Sequence, residues 1–226
     1  MTKRIVTKYE MPIGLTTPLT IGVVSDLHND DYDGIFETFK NVDAIFVPGD
    51  ICNRYKQTYE KGIQFLHDAS ARFPTFYSLG NHEIRLKDYY AFIREVKKTN
   101  AVFLRNTYVK FGELWIGGFY KHNPQKNAGM LKRFSNEEGP KVLLCHKPND
   151  YPIIKPYNIP CIISGHAHGG QFRLFNRGLY APDQGFFPKL TKGIVDNRLI
   201  ISTGASNPSS CPRFNNPCEI ILLTLT

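Results

Sequence analysis

Five times along this chain, a short apolar run rich in β-branched residues ends in a cluster of Asp, Asn and His. The runs read IGVVSDLH, AIFVPGD, TFYSLGNHE, KVLLCH and CIISGHAH. Runs of this length and composition are strand signals, so the polar groups fall at strand ends or in the loops just beyond. A chain built this way must bring several strand ends to one edge, which a layered sheet does and a helical bundle does not. His28, His82, His146, His166 and His168 lie in these clusters, leaving only His67 and His122 of the seven histidines outside them.

Between the runs the pattern alternates. Helices are predicted near 33–40, near 57–71 (apolar stripe Ile63, Phe65, Leu66, Ala69) and near 87–98 (Tyr89, Phe92, Ile93, Val96). Strands are predicted at 19–25, 43–48 and 75–79, then in close succession at 101–104, 114–118, 141–145, 161–164, 171–174, 193–195, 198–202 and 218–225. Alternation followed by many strands predicts an α/β fold with two packed sheets and helices outside. At 226 residues the expectation is one domain, 1–226.

No run of about 18 apolar residues is present, so no transmembrane helix is expected. The N-terminal segment is basic but has no apolar core, which argues against a signal peptide. Five cysteines without regular spacing fit a reducing, cytoplasmic setting. Cys211 and Cys218 are read as free thiols that could pair only under oxidation. The formal charge of +8 serves solubility or steers an anionic partner. Basic residues are dispersed, with small clusters at Lys97-Lys98 and Lys132-Arg133. That dispersion, without interleaved aromatics, argues against a nucleic-acid groove.

The clusters carry metal-ligand chemistry. Asp26 and His28 are two apart, so on an extended strand end they point the same way. Gly49, Gly80 and Gly165 each precede a polar residue, where a glycine lets the backbone turn or come close to an ion. Carboxylate, carboxamide and imidazole together suit Mn²⁺, Fe, Co²⁺ or Zn²⁺ better than Ca²⁺ or Mg²⁺. No cysteine belongs to a cluster, which argues against a thiolate zinc site.

In order, D-x-H, G-D, G-N-H-E, H and G-H-x-H resemble the motifs of the calcineurin-like metallophosphoesterases. GHAHGGQFRLF, YAPDQGFFPKLTKG and RFNNPCEIILLTL further resemble a bacterial branch with membrane-associated phosphohydrolases of lipid-linked or nucleotide-sugar substrates. The resemblance implies a four-layer α/β/β/α sandwich with two mixed sheets. It also implies two divalent transition-metal ions, Mn foremost, with Fe, Zn or Co as alternatives. One would be held by Asp26, His28, Asp50 and His168, the other by Asp50, Asn81, His146 and His166, with Asp50 bridging. A hydroxide shared by the metals would attack a phosphomonoester or phosphodiester in line. His82 would donate a proton to the leaving oxygen or stabilise the phosphoryl group. Adjacent to Asn81 on an extended backbone, it would face away from the metal. Glu83 would orient a histidine from behind. The residues after Asp50 depart from the common pattern at Asn53 and Arg54. Outside the motifs, His122 and Arg213 are candidate substrate contacts, each in a loop expected at the active edge. A phosphoprotein phosphatase and a non-catalytic scaffold are the alternative readings. Peripheral membrane contact stays open, and the oligomeric state is not encoded in these motifs.

Overall fold

Two six-stranded sheets face each other, and each of the five apolar runs forms one of their strands. The computed structural model describes residues 2–121, 124–175, 177–209 and 211–226. The strands are β1 (Arg4–Met11), β2 (Leu19–Val23), β3 (Ala44–Val47), β4 (Thr75–Ser78), β5 (Val102–Leu104), β6 (Thr107–Phe111), β7 (Leu114–Phe119), β8 (Lys141–Cys145), β9 (Cys161–Ser164), β10 (Arg173–Leu174), β11 (Arg177–Gly178), β12 (Tyr180–Ala181), β13 (Gly185–Phe186), β14 (Gly193–Val195), β15 (Leu199–Ile201) and β16 (Cys218–Leu225). The first sheet runs β1-β16-β2-β3-β4-β5 and the second β14-β15-β9-β8-β7-β6. Strands β2 to β5 are mutually parallel, as are β7, β8, β9 and β15, while β16 is antiparallel to β2.

Three apolar cores separate four layers. Strand β3 shows how one sequence feeds two of them. Its four residues are all buried. Ile45 and Val47 face helices α1 (Ile35–Thr38), α2 (Glu60–Arg72) and α3 (Tyr89–Val96), packing with Phe39, Phe65 and Phe92. Ala44 and Phe46 face the other sheet, packing with Ile116, Val142, Leu144 and Ile163. A parallel strand covered on both faces reads as a continuous apolar run for this reason. Fully burying a side chain such as Phe46 contributes about 1.5–3 kcal/mol. The third core lies where Leu143, Ile162 and Ile201 meet Leu131 and Phe134 of α4 (Pro124–Asn136) and Ile154 of α5 (Tyr151–Ile154). The layers are therefore α/β/β/α, as expected.

Several elements differ from the sequence reading. β1 was not expected; it pairs in parallel with β16 over its whole length. It lies at the edge of the sheet, and its side chains are largely half-buried or exposed. β6 and α4 were likewise not expected. The strand expected at 171–174 is reduced to β10, two residues hairpinned with β11. The helix expected from 57 begins at Glu60, because Asn53 and Thr58 pair as an isolated bridge. The helix expected from 87 begins at Tyr89, where Asp88 caps the Ala91 N–H at 3.0 Å. All five cysteines are free thiols. Among the described residues, no helix is long and apolar enough to cross a membrane. His122 lies outside the described residues.

Candidate metal centre

The ends of β2, β3 and β4 from one sheet meet those of β8 and β9 from the other. The loops that follow are stitched together by their backbones. Asp26 N–H donates to Gly49 C=O at 3.0 Å, His28 N–H to Asp50 C=O at 2.9 Å, and Gly165 N–H to His146 C=O at 3.0 Å. Five of the predicted site residues sit in the left-handed region: Asp26, His28, Asp50, His166 and His168, with φ between 45° and 66°. Outside glycine this region is uncommon, and a residue held there costs roughly 1–3 kcal/mol. Such strain persists only where the surrounding structure enforces it, and these five residues share one edge.

This geometry corrects two steps of the sequence reading. β2 ends at Val23, so Asp26 and His28 converge through left-handed turns rather than through strand alternation. His82 is in the helical region (φ −72°, ψ −43°) at the start of a 3-10 turn, so it does not point away from Asn81 by extended alternation.

Glycines set the closeness of approach. A Cβ on Gly80 would collide with the Asp50 carboxylate, and one on Gly165 with the Asp26 carboxylate and the Ser25 hydroxyl. Both carboxylates are thereby held from one side and aimed to the other. Asp26 accepts from Ser25 Oγ at 2.6 Å and from the His166 N–H at 3.1 Å. Asp50 Oδ1 accepts the His82 N–H at 2.7 Å.

The side chains gather as overlapping donor groups. Asp26, His28 and His168 offer ligand atoms within 4.8 Å of one another, as do Asp50, His146 and His166, and also His28, Asp50 and His82. All are buried apart from His168, which is half-buried. Both ring nitrogens of His146, in the second group, and Oδ1 of Asn81, which adjoins His82 in the chain, are buried without a hydrogen-bond partner among the described residues. His146 Nε2 is 3.0 Å from Asp50 Oδ2, yet not in hydrogen-bond geometry. Asn81 Oδ1 and the His146 nitrogens, buried and unbonded close to a carboxylate, suit a shared cation, whereas His28 is paired with His168 at 3.2 Å and with His82 at 3.1 Å.

The electrostatics agree. Burial disfavours charge on His146, but the carboxylates of Asp50 and Asp26 outweigh it and push the imidazole up to about 9. Burial would raise both aspartates, but His168, His146 and His28 pull Asp26 below the usual carboxylate range, and His146 and His82 do the same for Asp50. The two carboxylates thus favour positive charge at this position. By contrast, burial pushes His82 and His166 down to about 4 and His168 to about 3, so these rings are neutral and able to ligate.

Outer partners fix the rings. His28 Nδ1 lies 3.3 Å from the Cys52 carbonyl, which can only accept; the proton is therefore on Nδ1 and Nε2 keeps its lone pair. His82 Nδ1 accepts the Arg54 N–H at 3.2 Å, and Tyr55 stacks edge-on against its ring. Arg213 enters the site: its Nη2 donates to His168 Nδ1 at 2.9 Å and to Ser206 C=O at 2.6 Å. Ligation through His168 Nε2 would require that proton arrangement to change.

Glu83 holds backbone rather than a histidine. Its carboxylate accepts from the N–H groups of Asp50 (3.1 Å), Ile51 (2.7 Å), Cys52 (3.3 Å) and Gly80 (2.7 Å). It thus clamps the two loops that carry Asp50 and Asn81. Burial and the nearby Asp50 carboxylate push it up to about 7. Glu83→Ala would leave these buried N–H groups without an acceptor. The expected loss of stability is roughly 3 kcal/mol or more, read as a lower urea midpoint at unchanged slope. A midpoint equal to that of the parent chain would show the clamp to be dispensable.

Asp183 escaped the sequence reading. Its carboxylate is 3.1 Å from His166 Nε2 and 2.5 Å from Lys147 Nζ. Only the turn-forming APDQG around it is visible in the sequence, and turns of that kind are common on surfaces.

The sequence profile of the calcineurin-like phosphoesterases matches residues 19–170, a span that contains every motif from Asp26 to His168. An uncharacterized metallophosphoesterase of Campylobacter jejuni is 27% identical over 231 residues, covering 96% of this chain and 60% of that protein. Another, from Bacillus subtilis, is 28% identical over 172 residues, covering 68% of this chain and 62% of that protein. The chain thus spans about 60% of the length of these curated relatives. Among solved structures, the metallophosphoesterase from Sphaerobacter thermophilus aligns with a TM-score of 0.41 at 16% identity, covering 84% of this chain and 79% of that one.

Proposed function

Because the chain belongs to the calcineurin-like phosphoesterase family, we propose that it hydrolyses a phosphomonoester or phosphodiester at a dinuclear metal centre. The observation that carries this reading is the chain of overlapping donor groups, in which His28 links Asp26 and His168 to Asp50 and Asp50 links on to His146 and His166, with Asn81 Oδ1 and His146 buried and unpartnered among the described residues. Asp26, His28, Asp50 and His168 would hold one divalent transition-metal ion; Asp50, Asn81, His146 and His166 would hold the second. When bound, the ions would supply Lewis acidity to the phosphoryl oxygens and an activated water as nucleophile.

The chain's own residues supply the rest. His82 accepts a backbone N–H at Nδ1, so its Nε2 carries the proton and can donate a hydrogen bond to a leaving or phosphoryl oxygen on which charge develops. Arg213 Nε and Nη1, beside His168, are buried without a partner among the described residues. Arg54 Nε and Nη1, beside His82, are in the same position. Buried guanidinium N–H groups are costly when unpaired, and phosphate oxygens are their natural acceptors. Both arginines would therefore orient the substrate phosphate.

The test is reconstitution with Mn²⁺ followed by metal analysis and assay of chromogenic phosphomonoesters and phosphodiesters. Near two equivalents of metal per chain and metal-dependent turnover are expected. A folded sample that takes up no metal would overturn the reading.

A further inference from the structure

Beside the metal centre, two short hairpins carry apolar side chains outward. Phe175, in the turn between β10 and β11, is 100% exposed. Phe186 and Phe187, at the end of the β12–β13 hairpin, are 72% and 75% exposed. Leu174, Tyr180 and Phe214 are exposed beside them. Leu174, Phe175, Leu179 and Phe187 line a groove of 590 Å³. Contiguous exposed apolar surface of this kind marks an interaction site.

The backbone reinforces the point. Phe175 and Phe187 have φ of 47° and 53°. A bulky residue in the left-handed region is a conformational outlier. Here it holds two phenyl rings in water, with no burial in the chain's own core to offset the strain.

Charge identifies the occupant. Arg177 lines the apolar groove, and an adjoining groove of 360 Å³ is lined by Arg177, Lys189 and Lys192, of which Lys192 is paired with Glu219 at 3.6 Å. Between residues 172 and 192 the only acidic residue is Asp183. Its carboxylate is taken up by Lys147 and His166. The outward face is therefore apolar at the tips and basic at the rim. That order matches a bilayer with anionic headgroups, where rings enter the acyl boundary and cations stay at the phosphates.

We propose that the β10–β11 and β12–β13 hairpins form a docking surface for an anionic lipid bilayer. Asp183 sits in the turn of the second hairpin and touches His166, so a membrane contacting Phe186 and Phe187 lies next to the metal centre. The docking does not depend on the phosphoesterase reading, and its test does not use turnover.

The test is co-sedimentation of the chain with vesicles of phosphatidylcholine alone, or of phosphatidylcholine and phosphatidylglycerol in equal parts. Binding is expected to the mixed vesicles only, and to weaken as salt is raised. Phe175→Ser with Phe187→Ser should reduce partitioning at least about tenfold, as should Arg177→Glu with Lys189→Glu. These positions are exposed, and circular dichroism checks that the variants fold. Failure of the parent chain to bind mixed vesicles would overturn the proposal, as would unchanged binding of both variants. A dimer in solution that Phe175→Ser with Phe187→Ser converts to monomer, without vesicle binding, would assign the surface to self-association instead.

Discussion

Asp50→Asn is expected to empty both metal positions together and to lower phosphoesterase activity by at least about 100-fold. Asp50 is the carboxylate common to two of the donor groups, one with His146 and His166 and one with His28 and His82. Two divalent cations about 4 Å apart repel by roughly 16 kcal/mol at an effective dielectric of about 20, so an anion between them matters more than any single neutral ligand. The amide preserves shape and an oxygen for the His82 N–H, but removes the charge. His146→Ala and Asp26→Asn, each confined to one group of the proposed pair, should weaken mainly one position. Titration of the three variants with Mn²⁺ separates these outcomes. Two ions bound to Asp50→Asn as tightly as to the parent would show that Asp50 does not bridge.

His82→Ala should leave metal content intact and reduce kcat by roughly 10²–10³-fold, the usual range for losing one preorganised N–H donor to developing negative charge. The His82 ring is buried and pushed down to about 4, so at neutral pH it is uncharged and acts as a positioned N–H donor. The loss should shrink for nitrophenyl esters, whose leaving group needs no proton, and be largest for alkyl esters. Equal losses across both substrates would remove the leaving-group role. Loss of a metal ion would place His82 among the ligands, as its proximity to His28 and Asp50 allows.

The layers were legible because buried parallel strands write themselves as unbroken apolar runs, and the polar residues that end those runs are the ones the fold brings to one edge. What escaped the sequence is whatever depends on distant partners. β1 is recognisable as a strand only beside β16, more than 200 residues away. Glu83 stands next to a histidine in sequence, yet its carboxylate serves four backbone N–H groups in two loops. Asp183 meets His166 from a turn that nothing local distinguishes. The convergence of Asp26 with His28 was anticipated, but for a reason that applies to extended backbone, and the left-handed turns that bring it about leave no trace beyond a preference for Asp, Asn and His.

The place of β16 has a consequence for the order in which the protein is made. It follows the other fifteen strands in chain order, yet it lies inside the first sheet between β1 and β2. Asp26 also depends on late residues: its C=O accepts from Ser206 N–H at 3.1 Å and from Ser206 Oγ at 3.0 Å. A nascent chain emerging from the ribosome holds β2 to β5 with an open edge, and a metal cluster without its rear support, until residues 199–225 follow. That open edge is available to other nascent chains. The donor cluster is therefore supported only once residues 199–225 are in place, rather than grown motif by motif.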